Sequence, residues 1–331
     1  MAAEKEYTVP ASAEDSRLDA FVAGAANCGT RAAKRLIEGG AVLVDGKARP
    51  ALFKLRQGMT VLVTPVGIPP HAEEPDAAIV AVNREYAVIS KPAGLHTARI
   101  AGSREASLEG LLGALWETML TARQKAPLPK PNLPPSLADA LGGACPDLVP
   151  DHDPDSIGDF PLLPATPPTL LSRLDKPTSG LVAAAVTTQA AERFRTREAM
   201  GQVRKYYLAV VRGNMTAPML IKGRLDTDGR KKTRVLSLES SDPARHTNVT
   251  PIGPAMTFVP GAPDETTLVV ARIGRGARHQ IRAHLADSGH PLAGDALYGD
   301  SNSARVFYLH HARLCLPGLT ALCLPPWLHL P

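Results

Sequence analysis

The spacing of apolar residues near the start of the chain predicts a helix followed by a β-hairpin. In RLDAFVAGA, Leu18, Phe21 and Val22 recur at helical spacing, which predicts a helix with one buried face. The later segment AVLVDGKARP contains Asp45-Gly46, a favoured two-residue hairpin turn. The segment GMTVLV predicts one further strand.

A second helix is expected between these elements. Thr30 is a typical helix N-cap, and Gly39-Gly40 is a typical helix end. Together the helices and strands predict a small α/β domain over residues 17–66. We expect residues 1–16 to form an N-terminal tail.

The rest of the chain mixes strand and helix patterns without the regular alternation of a doubly wound fold. Apolar strands such as SGLVAAAV, KYYLAVVRG and TTLVVARI lie among helical segments such as TTQAAERFRTREAM and RHQIRAHLADSG. This order predicts an α+β domain built on a mixed sheet over residues 78–331. Repeated prolines at about 123–168 block helix interiors and central strands, so we expect an irregular insertion there.

The composition is typical of a globular protein of the cytoplasm. Of the 331 residues, 44% are apolar, and no run approaches the roughly 18 apolar residues of a membrane helix. The N-terminus has no apolar run, so we expect no secretory signal. The four cysteines contain no C-x-x-C pair, which argues against a zinc site or a disulfide framework and favours reduced thiols.

Positive charge is concentrated in the N-terminal unit. Residues 17–63 contain eight basic and three acidic residues, an excess equal to the net charge of +5 of the whole chain. Three of the basic residues share a helix face by their i, i+3, i+4 spacing, and such a face either contacts successive phosphates or is simply solvated. The candidate RNA-binding residues are Arg17, Arg31, Lys34, Arg35 and Lys47.

The segment TLLSRLDKPTSGLVAAAV places an aspartate where a strand begins. Pro177 excludes a regular central strand, so we expect Asp175 on a turn that leads into the strand SGLVAAAV. A carboxylate at such a strand edge is well placed to face a cleft. The alternative is a loop aspartate that caps Thr178 or Ser179.

A helix is predicted over RHQIRAHLADSG, followed by the turn-rich loop GDALYG. Ile281, His284 and Leu285 share one helix face, while Gln280 and its neighbours Arg282 and Ala283 fall on others.

The spacing of the histidines and glycines in this region argues against a cofactor site. His279 and His284 are five residues apart, whereas metal ligands on one helix face are four apart. Gly274 and Gly276 do not belong to a G-x-G-x-x-G motif with a following helix, which a dinucleotide site requires. We therefore expect neither a metal nor a nucleotide cofactor.

In chain order, these segments resemble the RluA family of pseudouridine synthases. SRLDKPTSGL is similar to the family's H-R-L-D-x-x-T-S-G-L signature, and GARHQIRAHLADSGHPLAGDALYG is similar to its G-R-x-H-Q-[IL]-R-x-H-L segment with the following G-D-x-L-Y-G. VRKYYLAVVRG, VISKPAGLHT and LHHARL resemble three further family motifs. The N-terminal pattern T-R-x-x-K-R-L-I-x-x-G with V-x-V-D-G-K resembles the small RNA-binding domain of ribosomal protein S-four.

The resemblance implies a cofactor-free enzyme that acts on structured RNA. We expect its substrate to be ribosomal rather than transfer RNA, and we expect a monomer. It places Asp175 on the catalytic aspartate, Tyr207 on the active-site tyrosine and Arg282 on the arginine that pairs with the aspartate. It places Arg173 on the arginine that helps to expel the target nucleotide from the RNA stack, and Ile281 on an apolar neighbour of the site. The other implied substrate contacts are Arg278, His279 and Gln280.

The chemistry expected of such an enzyme fits these residue types. The reaction detaches uracil from its sugar, rotates it and rejoins it through carbon. A uridine in folded RNA has to flip out to reach a closed pocket. Burial disfavours a charged carboxylate there, and an arginine such as Arg282 offsets that cost because it stays charged and forks onto carboxylates. Tyr207 can stack on the flipped base, and Arg173 can fill the space that it leaves.

Three positions depart from the family pattern. Ser172 stands where the family usually has histidine, Ala277 where it often has arginine, and Ser90 where it has asparagine. Arg275 and Arg278 are possible substitutes for the missing arginine. These departures bear on substrate contacts more than on the chemistry.

Two other functions stay open at this point. The basic N-terminal unit would also suit a non-catalytic RNA-binding or ribosome-assembly protein. A hydrolase could use Asp175 with His279 or His290, although no nucleophile-elbow or metal motif supports it. The proline-rich insertion either shapes an RNA groove or is a solvated loop, and we favour the loop.

Overall fold

The structure is a computed structural model that divides the chain into two compact units, Met1–His71 and Ala72–Pro331. It describes residues 5–25, 33–34, 37, 42–63, 76–102, 105–122, 132–143, 163–228, 231–299 and 306–330.

The smaller unit is built on a four-stranded antiparallel sheet. Its strands run in the order β1-β4-β2-β3, and its first helix, α1, lies between β1 and β2 in sequence. The bounds are β1 Lys5–Thr8, α1 Leu18–Ala25, β2 Val42–Val44, β3 Lys47–Ala48 and β4 Thr60–Val63.

The predicted helix and hairpin of this unit are confirmed. Leu18 and Val22 of α1 are fully buried in the apolar core, and Phe21 packs against it. Asp45 and Gly46 both have positive φ, 49° and 72°, as the favoured turn between paired strands requires. Glycine suits this turn because it has no Cβ to clash there.

Residues 5–8, within the segment 1–16 that was expected to be a tail, form strand β1 of the sheet. Strand β1 pairs along its whole length with β4, from Lys5 opposite Val63 to Thr8 opposite Thr60. Val9 is buried in the same core as α1. A four-residue strand gives too short a pattern to identify from the sequence, and its burial depends on its partner strand. The predicted cap Thr30 and helix end at 39–40 lie outside the described residues.

The larger unit contains a mixed ten-stranded sheet, which confirms the predicted α+β class. Eight strands follow the order β10-β13-β14-β9-β15-β8-β6-β5, with β16 paired to β15 and β7 to β8. The β8–β15 pair is parallel and the other pairs are antiparallel. Strands β11 and β12 form a separate hairpin. The strand bounds are β5 Ala78–Val82, β6 Tyr86–Lys91, β7 Thr169–Leu170, β8 Ser179–Ala185, β9 Arg204–Arg212, β10 Met219–Ile221, β11 Gly223–Asp226, β12 Arg234–Glu239, β13 Thr247–Pro254, β14 Thr266–Ile273, β15 Leu309–Leu316 and β16 Leu319–Leu322.

Strand β9 lies at the centre of this sheet and separates two apolar cores. Tyr206 and Leu208 point into one core, and Tyr207 and Ala209 point into the other. Successive side chains of a strand face opposite sides of the sheet, so a nearly continuous apolar run such as KYYLAVV is what a strand covered on both faces requires.

Four helices accompany this sheet among the described residues. Their bounds are α2 Leu108–Ala122, α3 Pro135–Ala140, α4 Thr188–Ala199 and α5 Gln280–Asp287. The expected helix after SGLVAAAV is confirmed as α4, whose N-cap Thr187 accepts a hydrogen bond from the amide of Ala190.

The proline-rich insertion is not irregular throughout. Within it, α3 buries Leu137, and Leu141 just beyond its end is buried against the core that contains Tyr206. Pro135 is compatible with this helix because it lies in the first turn, where its missing N–H has no partner to lose. The prediction of a purely irregular segment was therefore wrong for residues 132–143, and residues 123–131 and 144–162 lie outside the described part.

None of the helices that the structure describes is long and apolar enough to span a bilayer. Cys315 and Cys323 are free thiols, and Cys28 and Cys145 lie outside the described residues.

Candidate active site

Asp175 lies on a tight turn just before β8, as its neighbour Pro177 predicts. The turn is closed by the amide of Thr178, which donates to the carbonyl of Asp175 at 3.0 Å. Gly180, the second residue of β8, has φ 107°, and a Cβ there would lie 2.4 Å from the backbone oxygen of His311. Close approach of β8 to β15 thus requires glycine at this position, which fixes where the turn sits.

The last residue of β6 and the loop after it hold the residues on both sides of Asp175. The ammonium of Lys91, which is buried, donates to the carbonyls of Leu95 at 2.9 Å and Lys176 at 3.3 Å. Thr97 donates its hydroxyl to the carbonyl of Leu174 at 2.8 Å and accepts that residue's amide at 3.0 Å. The Asp175 backbone is therefore clamped at its two neighbours, which leaves its side chain free to face the cavity.

Arg282 of α5 contacts two carboxylates at once. Its Nη1 donates to Asp175 Oδ2 at 2.8 Å, while its Nε and Nη2 fork onto Asp295 at 2.7 and 2.8 Å. Burial acts to lower the pKa of Arg282, but its hydrogen bonds to Asp295 and Asp175 outweigh burial and raise it. The guanidinium therefore stays charged and links a buried acid to one that faces the cavity.

Asp295 is a functional residue that the sequence reasoning missed. Its carboxylate is fully buried and also accepts the amides of Leu297 and Tyr298 at 2.9 and 3.2 Å. Burial raises its pKa, but the hydrogen bonds and charge of Arg282 prevail and hold that pKa below its usual range. The sequence contained a signal, because Asp295 lies in GDALYG, which resembles the family's G-D-x-L-Y-G motif.

His279 and Tyr298 form a polar wall beside Asp175. His279 Nε2 lies 3.7 Å from Asp175 Oδ2, and its Nδ1 lies 3.1 Å from the Tyr298 hydroxyl. Burial lowers the pKa of His279 despite the opposing charge of Asp175, so the imidazole is neutral at neutral pH. The Tyr298 hydroxyl in turn accepts the amide of Thr233 at 2.6 Å.

Tyr207 of β9 is almost fully buried, and its ring forms part of the cavity wall. The ring stacks on the imidazole of His311 with centroids 4.5 Å apart and planes 13° apart. Burial, reinforced by the charges of Asp175 and Glu198, raises the pKa of the Tyr207 phenol well above its usual value. The phenol therefore stays protonated across the physiological range.

The cavity around Asp175 has a volume of about 670 Å³ and brings together most of the predicted site residues. Arg173 and Arg278 are exposed at its wall, and Ile281 supplies an apolar surface. All eight predicted catalytic and substrate-binding residues line it: Arg173, Asp175, Tyr207, Arg278, His279, Gln280, Ile281 and Arg282.

Gln280 also has a structural role that the sequence did not reveal. Its amide nitrogen donates to the carbonyl of Arg245 at 2.7 Å, and its oxygen accepts the amide of Ala277 at 3.0 Å. These bonds explain how α5 is buried on several faces, where the sequence predicted one apolar face formed by Ile281 and its neighbours. Polar side chains can be buried when their hydrogen bonds are satisfied.

The departures from the family pattern leave this geometry intact. Ser172 lies at the cavity wall, and its hydroxyl accepts the amide of Ala183 at 3.0 Å, so it also braces β8. Ser90 lies 3.8 Å from the sulfur of Cys323. Ala277 lines the cavity, next to the exposed Arg278.

The histidines of the α5 region do not converge on a metal site. His284 bonds Thr247 and the carbonyl of Gly223, each at 2.8 Å, and His290 lies 2.9 Å from the carbonyl of Arg212. Among the described residues, no group of three or more His, Cys, Asp or Glu side chains could hold a metal ion.

In the smaller unit, the candidate RNA-binding residues differ in their surroundings. Arg17 is half-exposed and pairs with the buried Asp19, whose pKa is lowered mainly by that hydrogen bond. Lys34 and Lys47 are exposed. Arg31 and Arg35 lie outside the described residues.

Comparison with known proteins gives a consistent result. The profile of the RNA pseudouridylate synthase family matches residues 160–287, which include the Asp175 turn and the predicted tyrosine and arginine. An RNA pseudouridine synthase of Chloroflexus aurantiacus is 30% identical over 316 residues, which cover 94% of this chain and 83% of that protein. The ribosomal large subunit pseudouridine synthase D of Nitrosomonas europaea is 32% identical over 131 residues, 39% of this chain and 35% of that protein.

A solved human structure, RNA pseudouridylate synthase domain containing 1, aligns over 76% of this chain and 84% of its own, with a TM-score of 0.48 and 18% identity. The nearly full-length match to the Chloroflexus protein favours an enzyme over a non-catalytic RNA-binding protein and over a hydrolase. The chain belongs to the RluA-type RNA pseudouridine synthases, which are isomerases.

Proposed function

We propose that the chain converts particular uridines of structured ribosomal RNA to pseudouridine, with Asp175 as the catalytic carboxylate. The observation that supports this assignment is that Arg282 donates hydrogen bonds both to Asp175, which faces the cavity, and to the buried Asp295. Because Arg282 is held by a buried partner, it presents a fixed positive charge that orients the carboxylate of Asp175 toward the cavity.

The other residues around the cavity serve the flipped nucleotide. Tyr207 is braced from behind by His311 and offers an aromatic face on which the uracil stacks. Ile281 closes the cavity on an apolar side. Arg173 and Arg278 are exposed at the mouth, where they contact phosphates or occupy the gap left in the RNA stack.

In the reaction, the bond between ribose C1′ and N1 of uracil breaks and a bond between C1′ and C5 forms. Asp175 either attacks C1′ or removes the neighbouring ribose proton to start this exchange. The hydrogen at C5 leaves as a proton and N1 gains one, so the product is an isomer of the substrate. The residues of the cavity supply orientation and charge for these steps, which need no electron or phosphoryl donor.

Ribosomal RNA is the proposed substrate, rather than transfer RNA, because several similar proteins have names that refer to the large ribosomal subunit. We further propose that residues 17–66 are an S-four-like RNA-binding domain that docks the enzyme on its RNA, with Arg17, Arg31, Lys34, Arg35 and Lys47 as phosphate contacts. The enzyme would act as a monomer in the cytoplasm.

The test uses purified protein and RNA from a strain that lacks the gene, labelled with tritium at C5 of its uridines. Each turnover releases one tritium to solvent, so the wild-type protein is expected to release it steadily. Asp175→Asn keeps the shape of the side chain but removes its charge, and we expect release to fall at least about 10³-fold. Undiminished release by this variant would refute the role assigned to Asp175.

A further inference from the structure

A second buried charge pair lines the same cavity. Glu198 near the end of α4 and Lys205 of β9 are joined by a 2.5 Å contact between Oε1 and Nζ. Their side chains are only 20% and 5% exposed, and both residues belong to the cavity wall with Asp175 and Tyr207. Neither residue has a role in the catalytic assignment above.

Stability alone does not account for a buried ion pair of this kind, since desolvation often cancels its attraction and apolar side chains of similar volume are often as stabilising or more so. Its position suggests another use. Lys205 and Tyr207 are two residues apart on β9, so their side chains lie on the same face of the sheet. A base stacked on Tyr207 would therefore have the pair near one of its edges.

The pair also has unused hydrogen-bonding capacity. An ammonium carries three donors and a carboxylate has about four acceptor sites, so one contact between them leaves both able to bind a ligand. Uracil offers an acceptor at O4, a donor at N3–H and an acceptor at O2. Cytosine offers a donor at its amino group and an acceptor at N3, which is the opposite pattern on that side.

Building on the proposed function, we propose that Glu198 and Lys205 read the Watson–Crick edge of the flipped uracil. Glu198 accepts N3–H, and Lys205 donates to the adjacent carbonyl oxygen. With cytosine, the carboxylate would face the N3 lone pair and the ammonium would face an amino group, so both contacts become repulsive. The pair would select uridine over cytidine when the flipped base binds in the cavity.

The same arrangement suits the rotation that the reaction requires. Turning uracil by half a turn about the axis through N3 and C6 exchanges N1 with C5 and O2 with O4. N3–H keeps its place during this turn, and one carbonyl oxygen replaces the other beside it. Glu198 can therefore hold the base at its pivot before and after the turn, while Lys205 meets an oxygen in both states.

The test compares single and double apolar variants with the tritium-release assay on RNA from the strain that lacks the gene. The variants are Glu198→Leu, Lys205→Met and the two combined, with Glu192→Gln on the exposed face of the same helix as the matched control. Two charge-assisted bonds to the base are lost in the double variant, so its kcat/KM is expected to fall at least about 100-fold. Thermal unfolding of each variant reports whether it folds.

The double variant separates recognition from structure. If the pair only stabilised the fold, the combined apolar change would restore the activity that each single change loses. A double variant whose kcat/KM lies within about threefold of the wild-type value would therefore overturn the proposal. A wild-type protein without activity would instead overturn the proposed function.

A gentler variant covers the case in which the apolar ones do not fold. Glu198→Gln keeps the size of the side chain, and its amide can turn to donate to N3 of cytosine. Binding is measured to two transcripts that carry uridine or cytidine at the mapped target position. We expect the preference for uridine to shrink at least about tenfold in this variant. An unchanged preference would overturn the proposal.

Discussion

Replacing Asp295 by asparagine tests the buried carboxylate that holds Arg282 in place beside Asp175. The change keeps the shape of the side chain but removes its charge, and the new amide nitrogen faces the N–H groups of Arg282, which cannot accept its hydrogen bond. Removing one partner of a buried pair typically costs about 3–5 kcal/mol. Because asparagine keeps one acceptor oxygen for the amides of the loop, we expect a loss of about 2–3 kcal/mol in the free energy of unfolding at pH 7.

The loss has a pH dependence whose sign follows from the lowered pKa of Asp295. A carboxyl whose folded-state pKa lies below its unfolded value stabilises the fold above the unfolded pKa and loses that contribution as pH falls through the folded one. The difference between wild-type and Asp295→Asn protein should therefore be constant above about pH 5 and shrink below about pH 4.

The assay is urea unfolding of both proteins between pH 7 and pH 3. Glu239→Gln is the control, because Glu239 is 72% exposed and lies 3.7 Å from Lys222. An exposed pair of this kind contributes less than about 0.5 kcal/mol. A loss below about 0.5 kcal/mol in Asp295→Asn, or a difference of constant size down to pH 3, would refute the reasoning.

Two further predictions concern the insertion and the N-terminal unit. Leu137→Ala should cost about 2–5 kcal/mol in urea unfolding because Leu137 is fully buried, and a cost under about 1 kcal/mol would show that α3 is not packed as described. Combining Lys34→Gln with Lys47→Gln should reduce the slope of log binding constant against log salt concentration by about two, since each lysine releases about one counterion. The slope is measured by filter binding to ribosomal RNA, and an unchanged slope would show that neither lysine contacts the RNA.

The sequence predicts those features whose cause is local. Asp45-Gly46 needs positive φ at two positions, and the structure has a turn there. Pro177 cannot lie within a central strand, and Asp175 is accordingly on a turn. The long apolar run of β9 leaves little choice but a strand with both faces covered.

Features that depend on distant partners could not be predicted in the same way. Asp295 lies in a motif that resembles one of the family's, but its burial and its pairing with Arg282 depend on α5 packing beside that loop. Leu137 is a single apolar residue in a proline-rich segment, and its burial depends on a sheet formed by other parts of the chain. Glu198 and Lys205 meet only because the chain turns back between the end of α4 and the start of β9.

The central claim, that the cavity at Asp175 makes pseudouridine in ribosomal RNA, is tested most directly by mapping pseudouridines in cells. Ribosomal RNA is compared between a strain that lacks the gene and the same strain carrying either the wild-type or the Asp175→Asn gene. The account predicts that at least one ribosomal pseudouridine disappears on deletion, returns with the wild-type gene and stays absent with the variant. Return of every lost pseudouridine with Asp175→Asn would contradict it.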